Sequence, residues 1–310
     1  MDLRTYQAEA LKTDQVPGPT TNESDASLLV PLLGLAGEAG ELLTEYKKHL
    51  REGDSYRLFK ERVSEELGDL LWYVANVASK FGLDLNAIAE ENLRKTRDRW
   101  GEGRVRQDLV FDSDYPDAEK LPRRLDVTFA EVLVGGRVKM QMVVDGSPLG
   151  DGLTDNARVQ DGYRFHDVFH LAFAAVLGWS PVLRKLLGRK RKSNPAVDET
   201  EDGARAAAIE EALCTFVFQY ARSHNFLDGV SALDYSVLRT VKSMTEQLEV
   251  SRCGVGNWEH AIVQACEVWR ELERNRGGRV VVDLEHRTLS YLGPSKGASP
   301  ERRAAALRSG

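Results

Sequence analysis

Two pairs of carboxylates stand in the most apolar part of the first hundred residues. "GLAGEAGELLTEYKKHL", Gly34 to Leu50, carries Glu38 and Glu41; "SEELGDLLWYV" carries Glu66 and Asp69. Each pair has i, i+3 spacing, which puts both members on one helix face. Glu45 continues the first stripe one turn on, and Glu65 adjoins the second pair. Acidic groups flanked by leucines, on the inner faces of neighbouring helices, repel one another in a low-dielectric interior. A hard divalent cation removes that repulsion, because Mg2+ takes oxygen ligands and keeps several waters. Mn2+ is the natural substitute. The small residues Gly37, Ala39 and Gly40 then leave room beside the helix for ions and a polyphosphate. The rival reading, a solvated acidic face, is the ordinary fate of one such pair. Two pairs in successive apolar helices argue against it.

The elements that must position these groups read as helices. Asp2 to Thr13 is a short amphipathic opener, followed by the loop "DQVPGPTTNESDAS". Ser27 to about Arg51 is long and apolar-periodic, with Pro31 tolerable in its first turn. Tyr56 to Phe81 has Val63, Leu67, Leu70, Leu71 and Val74 at helical spacing, and Gly82 stops it. Asp84 caps a last helix to about Trp100. Short connections between four helices imply a bundle over 1–104. Residues 105–124 read as a linker. The period then changes: "LDVTFAEVLV" and "RVKMQMVVDG", separated by Gly135-Gly136, predict a β-hairpin. Helices resume near Tyr163, and "GRVVVDLEHRTLSYL" predicts a second hairpin. The expected fold class is therefore mainly α: an N-terminal all-α bundle and a C-terminal, mostly helical α+β domain over 125–292. Residues 293–310 read as a disordered tail.

The composition is that of a soluble globular chain: 310 residues, 42% apolar and 29% charged. A net charge of −6 argues against coating nucleic acid or an anionic membrane. The longest apolar run, His170 to Leu183, contains Gly178 and Pro181 and is too short and too broken to span a bilayer. Three scattered cysteines give no disulfide frame, and a reduced cytoplasmic location is expected.

"GEAGEL", a spacer and "EELGDLLWYV" together resemble the MazG-type nucleotide pyrophosphohydrolases of the all-α NTP pyrophosphatase superfamily. Their ExxE…ExxD pattern is met by Glu38, Glu41, Glu66 and Asp69. "ENLRKTRDRW" matches further on, where the resemblance assigns Asn92, Lys95 and Arg99 to the substrate phosphates. Gly37 departs from a family glutamate just before the first pair. The resemblance covers about residues 25 to 104 and implies a MazG-like helix bundle, a nucleoside triphosphate substrate and a homodimer or higher homo-oligomer. Two bound ions would clamp the oxygens around the α-phosphorus and sharpen a water for in-line attack, releasing nucleoside monophosphate and pyrophosphate. Glu38 or Glu41 would take the water's proton. Lys47 and Lys48 are further phosphate contacts, and Trp72 or Tyr73 a surface for the base. A pool-control or phage-defence role would suit this activity. The alternative is a regulatory module that binds nucleotide and controls a partner.

The second half carries its own constellation. In "DGYRFHDVFHLAFAAV", His166 and His170 share a helix face at i, i+4, with Asp167 between them; Glu210 and Glu211 follow downstream. Such a set has metal-ligand character. It is loosely similar to zinc peptidases, although Asp167 stands where those carry a glutamate base. Two readings stay open: a second hydrolytic metal site, or histidines hydrogen-bonded to Glu210 or Glu211 at a helix contact. Residues 184–192 hold six basic side chains, read as a solvated loop or a local anion site, with nucleic acid the weaker option.

Overall fold

A computed structural model describes residues 1–15, 26–100 and 109–294. The chain divides into two compact units, Met1–Arg97 and Asp98–Gly310. The proposed tail lies almost wholly outside the described residues.

The first unit is built from α1 (Leu3–Leu11), α2 (Ala26–Glu52), α3 (Phe59–Lys80) and α4 (Leu85–Trp100). Asp2 caps α1 by accepting from the Thr5 N–H, and Asp84 does the same for α4 through Ala87. α2 and α3 pack along one another, α1 lies on α3, and their core is small. Ala10, Ala75 and Leu85 form its buried centre, with Leu3, Tyr6 and Trp72 against it. The buried Lys80–Asp14 pair, at 2.9 Å, closes the same end. Much of the apolar surface stays uncovered: Leu29, Leu33, Leu43 and Leu50 of α2 and Leu67 of α3 are all more than half exposed.

Residues Ser27–Ser55 are long and apolar enough to cross a membrane by length and composition. The broken stretch at 170–183 is thus not the best such candidate in the chain. α2 nevertheless carries Glu38, Glu41 and Glu45 and pairs lengthwise with α3, which is bundle behaviour.

The second unit has a five-stranded antiparallel sheet in the order β3-β2-β1-β4-β5. Its strands are β1 (Arg124–Val134), β2 (Arg137–Val144), β3 (Ser147–Leu153), β4 (Gly278–Asp283) and β5 (Thr288–Gly293). Gly135 and Gly136 turn β1 into β2 with φ of 58° and 75°, the left-handed pair that a tight hairpin requires. Alternation along β1 sends Leu125, Val127 and Phe129 inward, and Val280 and Val282 of β4 lie opposite in register. Both expected hairpins are present; β3 was not foreseen.

The helices are α5 (Asp167–Ala172), α6 (Pro181–Leu186), α7 (Pro195–Thr200), α8 (Ala204–Ser223), α9 (Tyr235–Met244) and α10 (Val255–Asn275). α5 continues into a wider π-helical turn over Phe173–Leu177 and is ended by Gly178 at φ 68°. α10 packs on α5, on that turn and on the sheet, and α8 joins the same core.

Two readings change on the structure. The stretch at 105–124 is no spacer where it is described, because Leu109, Phe111 and Leu121 are buried in the second unit's core. The basic run is also largely structural. Arg184 is fully buried against Asp112 at 2.8 Å, and Arg191 against Asp202 and Glu249 at 2.7 and 2.6 Å. Lys190 pairs with Asp198 of α7. These three cations are taken up by carboxylates of the chain itself, while Lys185 and Lys192 are exposed.

Candidate active site

α2 and α3 bring three of the four signature carboxylates together. Oxygens of Glu38, Glu66 and Asp69 lie within 4.8 Å of one another. Glu38 and Glu66 are half-buried; Asp69 is exposed. Glu41, exposed one turn beyond Glu38, stands outside this triplet but close enough for its charge to act on Glu66. The Glu66 carboxyl is pushed above the usual carboxylate range, by desolvation first and then by Glu38, Glu41 and Asp69. Among the described residues, no lysine or arginine pairs with Glu38, Glu66 or Asp69. The donor set, all hard oxygens with unbalanced negative charge, fits a divalent cation of the Mg2+ or Mn2+ kind.

Glu45, on the same stripe, is excluded from that set. It is buried, accepts from Lys48 and Tyr56, and its carboxyl is held below the usual range by Lys48 first and Tyr56 second. Lys48 is thereby committed, while Lys47 is exposed next to it.

The glycines of α2 divide by role. A Cβ at Gly34 would sit 2.2 Å from the Tyr73 ring, so this glycine lets α3 approach. Beside Gly37 and Gly40 there is open space within 4 Å, on the same stretch as Glu38 and Glu41.

Trp72 is not placed to meet a base. Its indole donates to Thr13 Oγ1 at 2.8 Å and packs in the small core under α1. Spacing could not have told this, because the partner lies on another segment. Asn92 is exposed on α4, and no described contact ties it to the carboxylates. The side chains of Lys95 and Arg99 lie outside the described residues.

The second unit brings His166, His170, Asp167, Glu210 and Glu211 together as well. His170 Nδ1 lies 2.8 Å from Glu210 Oε1, and Cys214 Sγ 3.5 Å from the same nitrogen. Burial pushes the Cys214 thiol up to about 11, so it stays protonated. The expected helix contact is therefore present, through Glu210. Glu211 faces the other edge of both rings, at 3.5 Å from His170 Nε2 and 3.9 Å from His166 Nε2.

An acidic triplet on paired helices, followed by a separate α+β unit, makes a helical bundle with a carboxylate cluster and an appended domain. The chain belongs to the MazG family: residues 27–102 match the MazG nucleotide pyrophosphohydrolase domain and residues 106–295 the MazG C-terminal domain. It is similar to the Gene 37 protein of Mycobacterium phage L5, at 35% identity over 105 residues, covering 33% of this chain and 92% of that protein. No solved structure matches it.

Proposed function

We propose that the first unit hydrolyses nucleoside or deoxynucleoside triphosphates to the monophosphate and pyrophosphate, with Mg2+ or Mn2+ held by Glu38, Glu66 and Asp69. The convergence of these three carboxylates, with no cationic side chain among the described residues to balance them, carries the reading. The metal, when bound, supplies charge neutralisation for the polyphosphate and acidity for a coordinated water. The chain's own residues do the rest. Glu66, whose carboxyl resists ionisation beside its neighbours, gains most from a cation. Glu41, exposed at the edge of the triplet, is free to accept a proton from the attacking water. The open space beside Gly37 and Gly40 admits the phosphate chain close to the α2 backbone. Lys47, exposed on the same helix, is the candidate contact for departing phosphates. The reading places the chain in the cytoplasm, acting on the nucleotide pool; a part in defence against phage would draw on the same reaction.

A panel of NTPs and dNTPs in 18O-water, read by phosphorus NMR, tests this. The expected result is labelled monophosphate with unlabelled pyrophosphate, lost in Glu41→Gln and Asp69→Asn. Diphosphate with inorganic phosphate, or no turnover of any member, overturns it. Tight calorimetric binding without product would instead favour a nucleotide-sensing module.

A further inference from the structure

The second unit contains a group of side chains that the pyrophosphohydrolase reading does not use. His166 stands at the start of α5 and His170 one turn on, so both rings project from one face. Each ring is fixed through its Nδ1. His166 Nδ1 lies 2.9 Å from the Tyr163 carbonyl oxygen, which can only accept, and the ring stacks on Tyr163 at 4.3 Å. His170 Nδ1 lies 2.8 Å from Glu210 Oε1. Glu210 is itself fully buried and held by Ser180 Oγ at 2.6 Å and the Val182 N–H at 2.8 Å. With both Nδ1 atoms turned to acceptors, the two Nε2 atoms are the ring positions left for a ligand, and a metal ion would bind there by displacing any proton they carry. This is the supporting shell that metal-bound histidines characteristically have: the far nitrogen bonded to a carbonyl or carboxylate, with tautomer and orientation set.

What the two Nε2 atoms face is telling. His170 is almost fully buried, yet its Nε2 has no hydrogen-bond partner. Glu211 Oε2 stands 3.5 Å from it and 3.9 Å from His166 Nε2, too far for good hydrogen bonds. The three ligand atoms all fall within 4.8 Å of one another. Donors sharing one tetrahedral ion at about 2.0–2.2 Å stand roughly 3.3–3.6 Å apart, so the Glu211 separations of 3.5 and 3.9 Å are near that spacing and a small inward shift of the side chains would complete it. Asp167 Oδ1, 3.8 Å from His166 Nε2, adds an oxygen at the margin. Glu211 is half-exposed, so the group opens to solvent on its side.

We propose that His166 Nε2, His170 Nε2 and the Glu211 carboxylate form a site for one divalent transition-metal ion of the zinc type. Two imidazoles and one carboxylate suit Zn2+, Co2+ or Fe2+ better than Mg2+, which prefers oxygen. Three protein ligands leave a coordination position for water or an anionic ligand, as in reactive sites and unlike closed structural ones. The site draws on no residue of the acidic triplet and would stand if that triplet proved inactive.

The test is Co2+ titration of the chelator-treated full chain, with elemental analysis after gel filtration. Glu66→Gln/Asp69→Asn removes the oxygen site from the count. That double variant should bind one Co2+ per chain and show the visible absorption of histidine-ligated cobalt. Adding His166→Asn or Glu211→Gln should weaken binding by roughly 100-fold or more. Glu211 is half-exposed and His166 is less buried than His170, and circular dichroism verifies folding of each variant. Failure of the double variant to bind Co2+, or binding unchanged by His166→Asn and Glu211→Gln, overturns the proposal. In the latter case the buried pair His170–Glu210 is a helix contact and nothing more.

Discussion

At the scale of single residues, Glu66 is where the first site stores its unfavourable energy. Its carboxyl is raised by burial and by three neighbouring acids, so without metal the folded bundle holds like charges together. Glu66→Gln is expected to raise the thermal midpoint measured in chelator and to abolish the stabilisation that Mg2+ gives the parent. A midpoint unchanged in chelator, with stabilisation by Mg2+ intact, would contradict the assignment. Glu41 makes a different demand, since it lies outside the triplet. Glu41→Gln should leave Mg2+ binding near the parent value and lower kcat by about 10²–10⁴-fold, the usual loss of a general base. The meeting of Glu38, Glu66 and Asp69 was legible because i, i+3 spacing fixes which side chains share a face. The role of Trp72 was not: its partner Thr13 is brought up by α1, and no local pattern announces a hydrogen bond across 59 positions.

At the scale of elements, most of the helices and both hairpins could be read from period and punctuation. The misses have physical causes. β3, "SPLGDGL", carries two glycines and a proline, so it lacks strand propensity and owes its form to pairing with β2. α7 is one short turn hidden in polar sequence, started by Asn194 and Pro195. The stretch before β1 looked like a linker because its few apolar residues are spread among Asp, Pro and Gly, yet Asp112 anchors it. Burial alone would raise the Asp112 carboxyl; the Leu121 N–H and the guanidinium groups of Arg123 and Arg184 outweigh that and hold it below 3.8. A depressed folded value means stability that is present above 3.8 and lost as pH falls through the folded pKa. Asp112→Asn leaves Arg184 buried without this partner. It should cost about 3 kcal/mol at neutral pH and flatten the acid limb of unfolding followed by tryptophan fluorescence. The fit of α2 on α3 has its own probe. Gly34→Ala drives a methyl into the Tyr73 ring and should cost about 1–3 kcal/mol in chemical denaturation, whereas Gly37→Ala, facing open space, should gain up to about 1 kcal/mol.

At the scale of the molecule, the first unit exposes more apolar surface than its small core accounts for. Leu43 and Leu50 are each 69% exposed, and Leu29, Leu33 and Leu67 line up on the same two helices. Each leucine that a partner covers is worth about 1.5–3 kcal/mol before ordering costs are subtracted. A second copy of the chain is the cover we propose, because an isologous contact pairs the same apolar stripe with itself. Light scattering should then give twice the chain mass of 34.6 kDa. Leu43→Glu tests the joint directly. On an isolated bundle a charge at so exposed a position is nearly neutral for stability. In a dimer it should halve the observed mass, and turnover should fall with it if the triplet depends on the partner for its far wall. A parent of single-chain mass, or a variant that stays dimeric, refutes the assembly. Flotation of the parent with lipid vesicles would show instead that a bilayer covers these leucines, the one other solvent in which so many can rest.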